Sequence, residues 1–377
     1  MRSEATSFKG RRAYRLSNDL LELMTLPGGG HIAELRLAGS TVNPLWEPHW
    51  RTIEPEEYDR ARHLEYGTEE GRLLASIAGH TLCLNHYVML SAAELEADGL
   101  EDGEAPNLPW EVYDAAASPE VASISYGLNL PEAGMQFSRR IELRAGEPVA
   151  HFEEEVTNLR RTDSPLGYQQ HVALGSPMVE PGVTRLDLSG AQGHTSLSSF
   201  GEADPTTPNQ SFTWPNGPGL ADLDVFPTQK PLCCVCTVAN KSDDGMGFVA
   251  VSNPRVGLLL AYVFSADTFP WTALWYENGG SDYPPYDRRT VAWGIEFGTC
   301  ALPLERMELL SRGPLLGRRP FGVLPALTTL RTAYTAILHP IPEDWRGVRT
   351  ITRSNEGFIV TERGQSRELT IASGGPR

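Results

Sequence analysis

The sequence predicts an all-β protein built as a sandwich. Three observations carry that expectation. Short apolar runs recur along the chain, many with period-2 alternation. The 36 Gly and 29 Pro are dispersed between those runs as turn residues. The chain has 377 residues of which 40% are hydrophobic, enough for a substantial core in one large β unit.

The elements follow in order. Residues 12–26 read as a strand, with Ala13, Arg15 and Ser17 alternating with Tyr14 and Leu16. Gly28-Gly29-Gly30 makes a turn, since glycine accepts positive φ freely. His31-Ile32-Ala33-Glu34-Leu35-Arg36-Leu37 returns as the second arm of a hairpin. Residues 42–60 form an aromatic, proline-bearing loop. Residues 73–79 read as a short helix or strand leading to His80, and the acidic residues 91–109 as a loop. Residues 110–113, 122–130, 135–144 and 149–157 read as successive strands. Residues 184–188, 232–238, 247–251 and 257–264 continue the pattern. Residues 207–231 hold five prolines and form the longest loop, of the kind that often covers a site. A Thr-rich strand falls within 324–338, and residues 357–361 and 367–372 close the chain as a hairpin. No composition shift divides the chain, so 1–377 is expected to be one domain.

Charge and cysteines bound the function. The formal net charge is −16, which repels phosphate backbones and anionic lipids. Nucleic-acid and membrane partners are therefore not expected, and a small neutral substrate fits. Residues 1–19 are polar and no apolar run reaches membrane-spanning length, so neither a leader nor a span is expected. The five cysteines are an odd number, and Cys233, Cys234 and Cys236 share one apolar run. That usage points to a reduced, cytoplasmic setting.

Two residues stand out as chemistry. Glu296, in Trp293-Gly294-Ile295-Glu296-Phe297-Gly298, points to the opposite face from Ile295 and Phe297. Burial in a pocket would raise its pKa and suit it to general base work, whereas most strand glutamates simply face solvent. His171, in Tyr168-Gln169-Gln170-His171-Val172, carries the imidazole suited to protonating a weakly basic ring oxygen; otherwise it is a hydrogen-bonded core histidine. Trp46, Trp50, Trp110, Trp271, Trp275 and Trp293 lie in or beside loop-rich stretches, where an aromatic face could stack on a sugar ring or pack in the core. His80 and His86 would share a strand face with Cys83 opposed, and no familiar metal spacing appears. A metal site is therefore not expected from these residues. Gly28-Gly29-Gly30 lacks the Lys-Ser/Thr of a phosphate loop, and no Gly-x-Ser-x-Gly elbow occurs.

The order of these motifs resembles that of aldose 1-epimerase (galactose mutarotase-like) proteins, in a divergent bacterial branch. The resemblance rests on the Gly-Gly hairpin, His171 and Glu296, together with Asn43-Pro44-Leu45-Trp46-Glu47-Pro48, Gly103-Glu104-Ala105-Pro106 and Phe269-Pro270-Trp271. It implies a large antiparallel β-sandwich, the supersandwich, and interconversion of sugar anomers with neither metal nor organic cofactor. Glu296 matches the general base that takes the anomeric hydroxyl proton, and His171 the general acid at the ring oxygen. The two are expected on opposite sides of one cleft, spaced to hold a pyranose. The expected substrate-binding set is His80, Arg72, Asp102, Trp50, Trp271 and Glu277. Asp102 stands where the family usually carries a second histidine; it can accept a hydrogen bond but not donate the same one. The alternative is a catalytically silent carbohydrate-binding protein on the same fold.

Overall fold

The computed structural model describes residues 1–67, 70–87, 89–96, 99–241 and 244–374. Two antiparallel sheets face each other. The larger has eleven strands in the order Arg2–Phe8, Arg11–Ser17, Leu21–Leu26, His31–Leu37, His80–Leu84, Tyr168–Gly175, Val291–Gly298, Trp271–Asn278, Leu232–Asn240, Gly190–Thr195 and Ser211–Thr213. The second has eight, with Val121–Leu130, Met135–Arg144, Val149–Asn158, Thr329–Pro340 and Leu258–Ser265 in its middle. Side chains at alternate positions meet between the sheets. Leu82, Val172, Leu274, Ile295 and Phe297 from the larger sheet pack against Ile124, Phe137, Phe152, Tyr262 and Tyr334 from the smaller.

The all-β expectation holds, with local differences that have physical causes. Residues 12–26 are two strands rather than one. Asn18 Oδ1 accepts from Leu20 N at 2.9 Å and Leu21 N at 2.6 Å, which folds the chain into a turn at that point. The polar Arg2–Phe8 forms an edge strand that apolar patterning did not reveal. Residues 73–79 resolve into a short helix, Gly71–Ser76. The 91–109 stretch contains a second, Ala92–Glu96, with residues 97 and 98 outside the described part. The predicted closing hairpin gains a partner, Val348–Ser354, and becomes a three-stranded sheet. Phe358, Val360, Ile351 and Ile371 bury it against Val149, Ala261, Val263 and Ile337.

The central strands decide where a site can lie. Every residue of Tyr168–Gly175 and Leu232–Asn240 is buried, so both faces of the larger sheet are covered. One face meets the second sheet. The other is covered by the loops and short helices that connect the strands, and the cleft lies under them.

Candidate functional site

Strand register brings Glu296 and His171 together. His171 pairs directly with Glu296 across two neighbouring antiparallel strands, and Ala273 pairs with Glu296 on the other side. Residues opposite each other in such a ladder put their side chains on the same face, within contact distance. His171 Nε2 lies 3.3 Å from Glu296 Oε1. The expected arrangement, with a pyranose between the two, is therefore corrected: they touch, and a ligand must lie over both. Gly294 makes room for the carboxylate, because a Cβ there would stand 2.4 Å from Glu296 Oε1.

Two further hydrogen bonds hold Glu296, one at its carboxylate and one at its main chain. Tyr87 donates its hydroxyl to Glu296 Oε2. Gln169 Nε2 donates to the Glu296 backbone carbonyl at 2.8 Å. Burial raises the Glu296 pKa; the facing His171 and the Tyr87 hydrogen bond work to lower it, and Asp102 adds to the rise. Burial also pushes the Tyr87 phenol well above its ordinary value, and the Glu296 charge reinforces that, so Tyr87 stays a donor. Cys233 is pushed up to about 12 by burial, then by Glu277, which leaves it an unreactive thiol at neutral pH.

The cleft over this pair has a volume of ≈ 100 Å³. Its floor is His171, Glu296, Trp275, Val235 and Cys233 from four adjacent strands. Glu70 and Leu73 line it from the start of the first helix, Tyr87, Glu101 and Asp102 from the segment after His80–Leu84, and Ser281, Tyr283 and Tyr286 from the turn after Trp271–Asn278. An aromatic wall runs along one side: His171 to Trp275 at 6.2 Å, then Trp275 to Tyr286 at 6.4 Å between ring centroids. Phe200 closes another side, whereas Trp214 of the Pro-rich 207–231 loop packs against the core and does not line the cleft. A roomier groove of ≈ 290 Å³ lies elsewhere, between the C-terminal sheet and the eight-stranded sheet.

Of the residues singled out from sequence, Glu296, His171 and Asp102 line the cleft. The others do not. His80 faces the inter-sheet core, with Nε2 2.9 Å from Gln170 Oε1 and Nδ1 3.3 Å from Tyr262 Oη. It belongs to a buried network in which Arg139 Nε lies 2.6 Å from Glu154 Oε1 and Tyr168, Gln170 and Tyr334 all donate to Glu154. Arg72 sits over the Tyr58 ring, with Nη1 3.5 Å from the Pro55 carbonyl. Trp50 donates to the Leu74 carbonyl at 2.8 Å and packs edge-on against Trp46 and Tyr286. Trp271 is wholly buried under the segment containing Cys300, Ala301 and Leu302. Glu277 accepts from Gly280 N at 2.6 Å and Ser281 Oγ at 2.7 Å, so it anchors the turn that carries Tyr283 and Tyr286. His86 lies outside the cleft, 3.9 Å from Glu94. Among the described residues no three His, Cys, Asp or Glu side chains are grouped to hold a metal ion.

Sequence reading missed Tyr87, Glu70, Glu101, Tyr283 and Tyr286. Trp275 is one of several tryptophans that the sequence offers for a sugar face, and its phase with Ala273 puts it on the Glu296 face.

No protein-family model matches the chain, and no curated protein matches it. Solved structures do. A candidate aldose 1-epimerase of Klebsiella pneumoniae superposes with a TM-score of 0.63 at 17% identity, over 89% of this chain and 82% of its own. A galactose mutarotase-like protein of Clostridium acetobutylicum gives 0.59 at 13%, over 90% and 98%. A candidate aldose 1-epimerase of Escherichia coli K12 gives 0.56 at 13%, over 87% and 99%. The chain thus has the galactose mutarotase-like β-sandwich fold. Several of its structural neighbours are named as candidate aldose 1-epimerases or galactose mutarotase-like proteins, and at 10–17% identity to them the chain is a divergent example of that fold.

Proposed function

We propose that the protein interconverts the anomers of a free aldose, with Glu296 as general base and His171 as general acid. The observation that carries this reading is the 3.3 Å pair on the floor of the cleft. The anomeric hydroxyl oxygen and the ring oxygen are both bonded to C1. An acid and a base that touch each other are therefore spaced to meet those two oxygens from one side of the sugar.

The steps balance within the pair. The Glu296 carboxylate takes the proton of the C1 hydroxyl. His171, protonated at Nε2, gives its proton to the ring oxygen as the C1–ring-oxygen bond breaks. The open-chain aldehyde rotates about C1–C2, and the same transfers run backwards to close the ring on the other face. No metal or organic cofactor enters these steps. Tyr87 keeps the carboxylate aimed, and its hydrogen bond favours the ionised form. The test is exchange of α and β anomers measured by NMR over a panel of aldoses. Acceleration on at least one sugar supports the reading, and none on any sugar that binds removes it.

A second reading is a silent carbohydrate-binding protein. Both Glu296 oxygens have partners, His171 and Tyr87, and Asp102 adds a carboxylate beside them. Sugar-dependent thermal stabilisation without anomer exchange would select it.

A further inference from the structure

The groove of ≈ 290 Å³ lies on the outer face of the eight-stranded sheet, on the other side of the sandwich from the Glu296 cleft. Register builds its floor. Thr335 pairs with His151 on one side and Val263 on the other, so the three side chains share a face. Phe152 and Tyr334, one residue away on two of these strands, point into the core instead. The C-terminal sheet forms the opposite wall. Arg353 pairs with Phe358 across its two strands, and the guanidinium lies 5.3 Å from the Phe358 ring centroid. A hollow of this size between two packed units is a common setting for a small-molecule site.

Two observations point to a ligand. Thr335 Oγ1 is buried in the floor and, among the described residues, has no hydrogen-bond partner. Such a group is ordinarily met by ordered water or by a ligand. The lining charges also balance, with Arg144 and Arg353 against Glu153 and Asp244. The protein itself engages two of these. Arg144 Nη1 donates to the Gly374 carbonyl at 3.1 Å, and Asp244 Oδ1 accepts from Met246 N at 3.1 Å. His151 is held too, with Nε2 2.6 Å from Glu147 Oε2. The polar groups offered to a ligand are therefore Arg353, Glu153 and Thr335.

We infer that this groove is a second carbohydrate site and that it takes a neutral saccharide. A sugar hydroxyl both donates and accepts. Arg353 supplies donors, Glu153 acceptors, and the Thr335 hydroxyl does either. Val263 and Met246 give apolar surface for the C–H side of a ring. A charged ligand would meet equal numbers of both signs and gain no net attraction. The inference stands apart from the reading of the Glu296 cleft.

Calorimetric titration of the full chain with glucose, galactose, maltose and lactose tests it, with Arg353→Met and Thr335→Val beside the wild type. Arg353 is exposed, and valine keeps the branched shape of threonine, so both variants are expected to melt near wild type. At least one sugar should show a binding component that Arg353→Met weakens about tenfold and Thr335→Val severalfold. Anomer exchange should be unchanged in both. Binding that neither variant weakens overturns the inference and leaves the cleft reading intact, as does binding of glucuronate or glucosamine at that component more tightly than of glucose. A single component that both variants weaken, with no anomer exchange, upholds the groove and removes the cleft reading. Failure of all four sugars to bind overturns the groove.

Discussion

Tyr87 donates its hydroxyl to the Glu296 carboxylate from the far side of the cleft, opposite the oxygen that faces His171. The carboxylate is thus held between a phenol hydroxyl and an imidazole. Burial raises its pKa above the ordinary carboxylate value, and these two contacts oppose that rise.

Removing the Tyr87 hydroxyl tests this balance. In Tyr87→Phe the carboxylate loses a bond that lowers its pKa, so the value rises further. A base works only when ionised, so activity is lost as pH falls through that value. The acid limb of the kcat/KM profile should already lie above the ordinary carboxylate range in the wild type, and should move to higher pH in Tyr87→Phe. A limb that does not move would show that Tyr87 does not tune the base.

The buried Arg139–Glu154 pair should matter for stability rather than rate. Both side chains are fully buried, and Glu154 also accepts from Tyr168, Gln170 and Tyr334. Arg139→Met would leave Glu154 a buried anion without its counter-charge, at a cost of about 3–5 kcal/mol. Urea denaturation measures this. A loss below about 1 kcal/mol would mean that the network is not a unit.

His80 makes a related prediction. Burial first, then the Arg139 charge, hold its pKa well below the ordinary 6.5. Between that depressed value and 6.5 the unfolded chain binds a proton that the folded chain does not. Stability from this residue is therefore present above 6.5 and lost as pH falls below it. His80→Gln, which keeps a polar partner for Gln170 and does not titrate, should flatten the stability–pH curve just below 6.5. An unchanged slope would assign the effect to other groups.

Much of this was readable from the sequence, and the misses share a cause. Period-2 alternation located the Met135–Arg144 strand to the residue and put Glu296 opposite Ile295 and Phe297. What alternation cannot give is which strands become neighbours. His171 and Glu296 were both legible, but their direct contact depends on a register between segments far apart in the chain. His80 belongs to the expected substrate-binding set, but a polar residue on an apolar strand marks either a site or a buried network, and only the second sheet tells them apart. Trp271 and Trp50 posed the same ambiguity, resolved by the segments that cover them. Tyr87 gave no signal, since Asn85 at φ +76° breaks the strand phase just before it.

The most direct measurement is the rate of anomer exchange on the sugar that binds best, for wild type and Glu296→Gln. The amide keeps the shape of the carboxylate and cannot take the proton. The account predicts exchange well above the spontaneous rate in the wild type, about 10²–10⁴-fold less in Glu296→Gln, and sugar affinity changed little. A variant that binds the sugar and exchanges its anomers as fast as wild type would contradict it.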